Sequence, residues 1–451
     1  MLSVTTNEGK QKWKNWSGDV ECEPAQLSTP QSIEEIQALL KKCESEGRQV
    51  RVVGSGHSFS PLVQTNDMMI SLDGLQGIIH HDVERAEAEV WAGTKLYTLG
   101  EELAARGFAQ ENLGDINAQS IAGAVSTGTH GTGVQFGSLS TQVKTVTLLT
   151  ATGEEKTFST TENASLLPAA QLSLGSLGVI TKLTLALLPK YCLRYQSERV
   201  LLQDCLARLD EYNQNHRHFE FYWFPYTKWV QIKTMDQTDE APTGTTLWNQ
   251  FNKTVVENGL FWLVSECSRL FPRTSRSVSK LSARGVPVLH EVNESHRLFA
   301  SPRLVRFHEM EYSIPANRLP EVMEEIEVCV EKHRFAVHFP LECRYVKADN
   351  IWLSPAYGRD SAFIAVHMYK GMPYKEYFAA LEEIFLRHEG RPHWGKMHTQ
   401  SAEELKNRYP KWEEFMRVRE ELDPAGLFLN PYLRRVFGVE MREKISTHMD
   451  G

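Results

Sequence analysis

The stretch NLGDINAQSIAGAVSTGTHGTGVQFGSLS, residues 112–140, carries six glycines among small hydroxyl side chains, with almost nothing bulky enough to hold a core. A segment so built lets backbone N–H groups approach a diphosphate and donate to its oxygens, because few Cβ groups stand in the way. Glycine-rich loops also serve as plain turns, and both readings stay open on these residues alone. A second glycine turn lies upstream, where the β-branched run of VRVVGSGHSFSPL (50–62) reaches Gly54 and Gly56 and is followed at once by His57. Neither loop is one of the common nucleotide fingerprints. The chain has no GxxxxGK[ST], and its GxG at 54–56 lacks the third glycine of a dinucleotide loop.

Outward from these loops the pattern alternates. Ser32 and Glu35 read as a capping box ahead of Ile33, Ile36, Leu40 and Cys43, a helical stripe that closes at Gly47 before the strand QVRVVG. MMISL, AEAEVWAG and VKTVTLLTATG read as further strands, and TKLYTLGEELAARG as an amphipathic helix. After Pro189 the texture changes to aromatic alternation in HFEFYWFPYTKWVQIK, then the strands RFHEMEYSIP, LECRYV and SAFIAVHMY with the helices RLPEVMEEIEVCVEKHR and YKEYFAALEEIFLRH. That order predicts an α+β chain whose second part is an antiparallel sheet flanked by helices.

The totals exclude several classes. At 451 residues the chain supports two or three domains and a large core, and its formal charge of −8 gives no reason to hold nucleic acid. The seven cysteines are scattered with no CxxC pair, as expected for a reducing compartment. No signal-peptide core and no uncharged run of spanning length is present, so the cytoplasm is the expected location. The most apolar run, GLFWLVSEC (259–267), is about half the length of a membrane span and reads as a packed helix, with an interface as one setting for it.

Charged residues with a working role are sparser. In PLECRYV, residues two apart on a strand share a face, so Glu342 and Arg344 project side by side while Cys343 points the other way. An isolated pair of this kind is commonly a surface ion pair. RPHWGKMH places His393, Trp394 and Lys396 in a short fixed loop, a platform for a lysine that must point somewhere. His393 and His398 lack a carboxylate or thiol at ligand spacing, and no metal is expected. No GxSxG elbow is present, which removes one hydrolase reading.

Taken together and in order, VVGSGHSFS, NLGDINAQSIAGAVSTGTHGTG, SLGVITKLTL, ECR followed by WLSPAYGRD, RPHWGK and LDPAGLFLNPYLRRVFG resemble the vanillyl-alcohol-oxidase-type (PCMH-type) FAD-linked oxidases. Within them the likeness is to the sugar-1,4-lactone oxidase group, close to the alditol oxidases. It spans residues 50 to 438, with only about 190 to 300 lacking landmarks. The resemblance implies a two-part FAD-binding domain, residues 1–190 with the returning segment 396–451, and an α+β substrate (cap) domain, 191–395, whose antiparallel sheet covers the flavin. It implies that Val52, Val53, Gly54, Ser55, Gly56, His57 and Ser58, with Thr127, Gly128, Thr129 and His130, line FAD. Asp115, Ser120, Gly123, Val179, Ile180, Arg344 and His393 join them, and His57 matches the point of covalent attachment to the flavin.

Glu342, Arg344 and Lys396 match the residues that hold substrate over the flavin, with Asp115 as a further substrate contact. His367 matches another position of the catalytic set, and Glu342, Lys396 and His367 are all candidates for the base. The activity implied is oxidation of an aldono-1,4-lactone of the L-gulono or D-arabinono type at C2, with hydride going to flavin N5 and O2 reduced to H2O2. The alternatives are an alditol oxidase acting on a terminal carbon of a polyol such as xylitol or sorbitol, and a dehydrogenase using an acceptor other than oxygen. A flavin-fold protein without turnover would have no use for three charged groups aimed at one site, since burying them costs desolvation.

Overall fold

The computed structural model describes residues 3–7, 10–243, 258–286, 288–300 and 305–440. The last residues of the expected C-terminal segment, 441–451, lie outside that description. The helix expected after Ser32 runs Ile33–Ser45, with the Ser32 hydroxyl accepting from the Glu35 N–H and the Glu35 carboxylate taking the N–H of Gln31. Ile36, Leu40 and Cys43 form its buried stripe. It leads into the strand Val50–Val53, which pairs in parallel with Met68–Ser71, itself paired with Gln26–Ser28.

A five-stranded antiparallel sheet stands beside this unit in the order Glu155–Ser159, Val143–Leu149, Val179–Ala186, Glu87–Trp91, Ile78–Asp82. One continuous apolar core joins these sheets to the end of the chain: Trp394, Leu405, Phe415, Leu433 and Phe437 share it with Ile36, Leu40 and Val146. The returning segment is fixed by polar contacts as well. The Asn430 amide donates to the carbonyls of Pro61, Leu62 and Gln64, and Arg51 donates to those of Leu62, Leu174, Gly175 and Phe428.

The antiparallel sheet expected after Pro189 has eight strands. Their order is Leu289–Glu294, Cys192–Leu201, Trp229–Thr238, His218–Trp223, Leu341–Val346, Ser361–Tyr369, Phe307–Pro315, Arg391–Pro392. Alternation along these strands decides what each face does. Phe219, Phe221, Leu341, Cys343, Ile364, Val366, Tyr312 and Ile314 turn one way and form a second core with Val322, Ile326, Leu381 and Phe385 of the helices Leu319–His333 and Lys375–Arg387. At about 1.5–3 kcal/mol for each large apolar side chain removed from water, this face fixes the register of the sheet. The opposite face therefore receives the residues in between, Glu220, Glu342, Arg344, Glu309 and Glu311 among them.

The segment GLFWLVSEC lies in the helix Asn258–Leu270, but not as the packed helix its apolarity suggested. Trp262 and Leu263 are exposed, as are Leu270 and Phe271 beyond them, because the helix lies at the periphery and not between the sheets. Among the described residues no helix is long and apolar enough to cross a membrane.

Candidate active site

Four strands bring the charges together. Register places Glu220 opposite Arg344 and Tyr222 opposite Glu342, while Glu309 faces His367 across the neighbouring pair. Ala365 pairs with Glu342 on one side and Glu311 on the other, so a single methyl group separates the two acidic strands. Cys343 meanwhile packs against Met323 on the apolar face.

Arg344 is the centre of the first group. Its Nη2 lies 2.7 Å from Asp115 Oδ1 and also bonds Glu342, and its Nε donates to Glu220 Oε2 at 2.7 Å. Glu220 is held in turn by the Tyr222 hydroxyl at 3.2 Å and by Lys233 at 3.4 Å. Burial works against charge on the guanidinium, but the three carboxylates outweigh it and drive its pKa upward. A buried cation of this kind persists because carboxylates are paired with it.

The second group lies on Phe307–Pro315. Glu309 Oε2 sits 2.6 Å from Lys396 Nζ, and Glu311 Oε1 lies 3.2 Å from His130 Nε2. Burial pushes the Glu311 carboxyl up, yet the charge and hydrogen bond of His130, with His393 and Lys396 beyond, hold it at about 2. His130, Glu311 and His393 present donor atoms within 4.8 Å of one another. His130 Nε2 faces Glu311, and His393 Nδ1 accepts from the Gly395 N–H at 3.0 Å.

Asp115, Glu309, Glu311, Glu342, Arg344 and Lys396 line one cavity, and a second, larger one adjoins it. The larger one is walled by residues 51–58, by Gln119, Ser120, Gly123 and Thr127, and by Leu174, Gly175, Gly178 and Ile180. His57, Ser58, Gln119 and Thr127 belong to both walls. Here the chain turns at Gly56 with φ +68°, where a Cβ would come within 3.1 Å of the Trp13 ring. His57 stacks on Trp16 with ring centroids 5.9 Å apart. Burial above all, with the charges of Lys396 and Lys95, lowers its pKa to about 4, so the ring is neutral.

Comparison with known proteins identifies the assembly. Residues 183–436 match the D-arabinono-1,4-lactone oxidase family, and residues 24–159 match an FAD binding domain. The chain belongs to the aldonolactone oxidase family. It is 40% identical over 426 residues to the L-gulono-1,4-lactone dehydrogenase of Mycobacterium tuberculosis, covering 94% of this chain and 99% of that one. It is 34% identical over 435 residues to the L-gulonolactone oxidase of Scyliorhinus torazame, covering 94% and 98%. A solvent-stable cholesterol oxidase shares the fold at a TM-score of 0.81 and 18% identity, over 97% of this chain and 98% of the other. This family member is thus an FAD-binding oxidoreductase with the α+β architecture of PCMH-type flavoproteins.

The larger cavity fits the cofactor on its own chemistry. Among the described residues, the backbone N–H groups of Ser55, Gly56, His57 and Ser58 donate to no other protein group, which makes the turn an anion-binding nest. Lys95, paired with Asp73 at 2.7 Å and donating to Ser55 Oγ at 3.2 Å, brings a cation to the same wall. His57 Nδ1 is buried with no hydrogen-bond partner among the described residues, an atom suited to a group lying in the cavity.

Of the residues singled out in the sequence, Val52 to Ser58, Ser120, Gly123, Thr127 and Ile180 line the larger cavity. Asp115, Thr129, His130, Glu342, Arg344, His393 and Lys396 line the charged one. Three line neither. Gly128 turns the chain against Leu172, Val179 faces the core, and His367 stands behind Glu309. Sequence reasoning missed Glu220, Lys233, Glu309 and Glu311. For the three acidic ones the available signal was alternation, since Glu220 stands between Phe219 and Phe221 in HFEFYW, and Glu309 and Glu311 flank Met310 in FHEMEYS.

Proposed function

We infer that this protein oxidises an aldono-1,4-lactone of the L-gulono or D-arabinono type at C2, with oxygen as acceptor and hydrogen peroxide as second product. The observation that carries the reading is the charged cavity itself: Arg344 among three carboxylates and Lys396 on Glu309, meeting the cofactor cavity at His57. FAD, when bound, supplies the hydride acceptor for an unactivated alcohol carbon. Residues 52–58, Ser120, Gly123, Thr127 and Ile180 hold it, and His57 tethers it covalently through a ring kept neutral and nucleophilic. Arg344, fixed in its fork geometry, binds a ring or carbonyl oxygen of the lactone and offers positive charge where negative charge develops. Asp115 and Glu342 accept from substrate hydroxyls, and Lys396 donates to the reacting oxygen. Phe307 supplies the apolar part of the wall that keeps water out.

The division into a cofactor part, 1–190 with 396–451, and a substrate part, 191–395, is supported by two apolar cores, with Leu193, Leu353 and Trp394 of the substrate part reaching into the first. The cytoplasm as compartment is supported by seven cysteines that are all free. A second reading concerns only the acceptor: the relative at 40% identity is a dehydrogenase, which favours a quinone or cytochrome in place of oxygen.

The test is an anaerobic panel of aldono-1,4-lactones and alditols followed by flavin bleaching, then a peroxide assay in air. Bleaching by L-gulono- or D-arabinono-1,4-lactone with peroxide formation is the expected result. Bleaching by xylitol or sorbitol alone overturns the lactone reading, and bleaching without peroxide moves the acceptor to the second reading. Acid precipitation should give a yellow pellet, which His57→Ala turns colourless while the fold remains.

A further inference from the structure

We propose that the helix pair Asn258–Leu270 and Ser275–Arg284 is a docking surface for an anionic lipid bilayer, on which the protein lies without crossing it. Among the described residues eleven large apolar side chains are exposed, and six of them fall between 262 and 288: Trp262, Leu263, Leu270, Phe271, Leu281 and Val288. Single exposed apolar residues are ordinary on a protein surface, whereas a cluster of this kind marks a contact. The surface lies outside both cavities, so it is independent of which substrate or acceptor they serve.

The first helix is inverted. A surface helix ordinarily turns its apolar stripe to the core and its polar face to water. At about 100° per residue, Trp262, Leu263 and Leu270 share one arc, and it is the outer one, with each side chain more than half exposed. The inner arc carries Ser265 and Ser268, both fully buried. Polar contacts hold the helix this way round. Ser265 Oγ lies 3.0 Å from His338 Nε2, and Glu266 accepts from the Tyr369 hydroxyl of the large sheet. The second helix is pinned by Ser279, whose hydroxyl donates to Pro225 O at 2.6 Å, and by Arg276, whose guanidinium lies 4.4 Å above the Tyr226 ring. Both helices are thus anchored through other side chains, and the large apolar ones are left pointing outward.

Charge decides what this surface meets. Residues 262–288 hold Arg269, Arg273, Arg276, Lys280 and Arg284 against the single acid Glu266, a net +4 in a chain of −8. Arg269 is taken by Glu266 at 2.6 Å and Arg276 by Glu331 at 2.7 Å. Arg273, Lys280 and Arg284 are exposed and make no ion pair among the described residues. Exposed Trp, Leu and Phe beside basic residues are the composition of helices that lie in a bilayer interface, where the apolar groups enter the acyl boundary and the cations meet anionic headgroups. A second copy of this chain is disfavoured as the occupant, because a symmetric contact sets the same bases against one another.

Flotation of the purified holoenzyme with vesicles is the test. The protein should rise with vesicles of phosphatidylcholine containing about one-third phosphatidylglycerol and bind pure phosphatidylcholine about tenfold or more weakly, a difference that salt at about 0.5 M should largely remove. Trp262→Gln with Leu270→Gln should weaken binding to the anionic vesicles about tenfold or more, and Arg273→Glu with Lys280→Glu should erase the preference between the two vesicles, with flavin content unchanged in both. When the anionic vesicles carry brominated acyl chains, tryptophan emission should be quenched in the wild type and much less in Trp262→Phe, which still floats. That substitution is conservative and exposed, so it decides even where a doubled variant fails to fold. No flotation of the wild type with anionic vesicles, binding of Trp262→Gln with Leu270→Gln at wild-type strength, or equal quenching in the wild type and Trp262→Phe overturns the lipid assignment. A dimer in sedimentation that Trp262→Gln with Leu270→Gln converts to monomer overturns it as well, since the same face then belongs to a second copy.

Discussion

The larger cavity takes its wall from runs of chain neighbours, 51–58, 119–127 and 174–180, whereas the charged cavity gathers Asp115, Glu309, Glu342 and Lys396 from four distant segments. The first works through backbone: what matters is that N–H groups are exposed and that Cβ atoms are absent. The second works through compensated charge, and each of its members is tolerable only because the others are present. The two cavities should therefore fail differently. Substitution in the first should release cofactor with the charge network intact, and substitution in the second should destroy turnover and stability with cofactor still held.

The strongest way to break that contrast is Arg344→Met. It removes the guanidinium that Asp115, Glu220 and Glu342 share, while Lys233 stays on Glu220. Removing one partner from a buried ionic cluster costs about 3–5 kcal/mol, and losing the fixed cation should slow flavin reduction by about 10²-fold or more. Urea unfolding at neutral pH and anaerobic bleaching measure the two effects. Flavin content should stay near that of the wild type, and loss of FAD along with turnover would show that the cavities are not independent.

Gly178→Ala attacks the other wall. Its φ is +154°, and a Cβ there would stand 2.4 Å from the carbonyl oxygen of Leu149, so the strand pair Val179–Leu149 must part to admit it. Strain of this kind is worth about 1–3 kcal/mol. The expected result, in the His57→Ala background where FAD is not tethered, is FAD binding weakened about tenfold or more by titration of apoprotein, since each 1.4 kcal/mol is tenfold. The pairing of Arg344 with its carboxylates should be untouched, so the small fraction that still holds FAD should turn over normally.

The same contrast explains what could be read from sequence. A wall made of consecutive residues leaves its composition in one place, as in VVGSGHS and SIAGAVSTGTH, and its motifs are visible before any folding is considered. Glu342 and Arg344 were legible because they are two apart on one strand. Glu220 was not, because its meeting with Arg344 depends on the register between strands more than a hundred residues apart in sequence, 124 residues for this pair. Glu309 and His367 likewise become neighbours only through the pairing of Phe307–Pro315 with Ser361–Tyr369. His367 was drawn into the catalytic set by motif, and it is Glu309, with no motif of its own, that reaches the cavity. The exposed face of Asn258–Leu270 was not legible for a related reason, since apolarity alone does not say whether anything lies opposite.

The smallest expected effect separates the walls by acid. His393, in the charged cavity, has its pKa lowered to about 3, chiefly by burial, with Glu311 opposing and Lys396 and His130 adding to it. When unfolded the ring titrates near 6.5, so between these values the unfolded chain binds the extra proton and stability falls as pH drops. From about pH 7 to about pH 5 this ring accounts for a loss of ~2 kcal/mol, and His393→Gln should lose that much less over the same interval by urea unfolding. Glu311, held at about 2, acts in a lower window: its stabilisation is complete above the ordinary carboxyl range and fades as pH approaches 2. His57, in the wall shared by both cavities and lowered to about 4, should behave like His393 in protein that carries no flavin. Once a flavin is bonded to its ring, folded and unfolded chains carry the same modified imidazole, and its own share of the acid loss should change. Comparing the pH 7 to pH 5 loss in flavinylated and flavin-free protein thus reads the tether from stability alone, independently of colour or turnover.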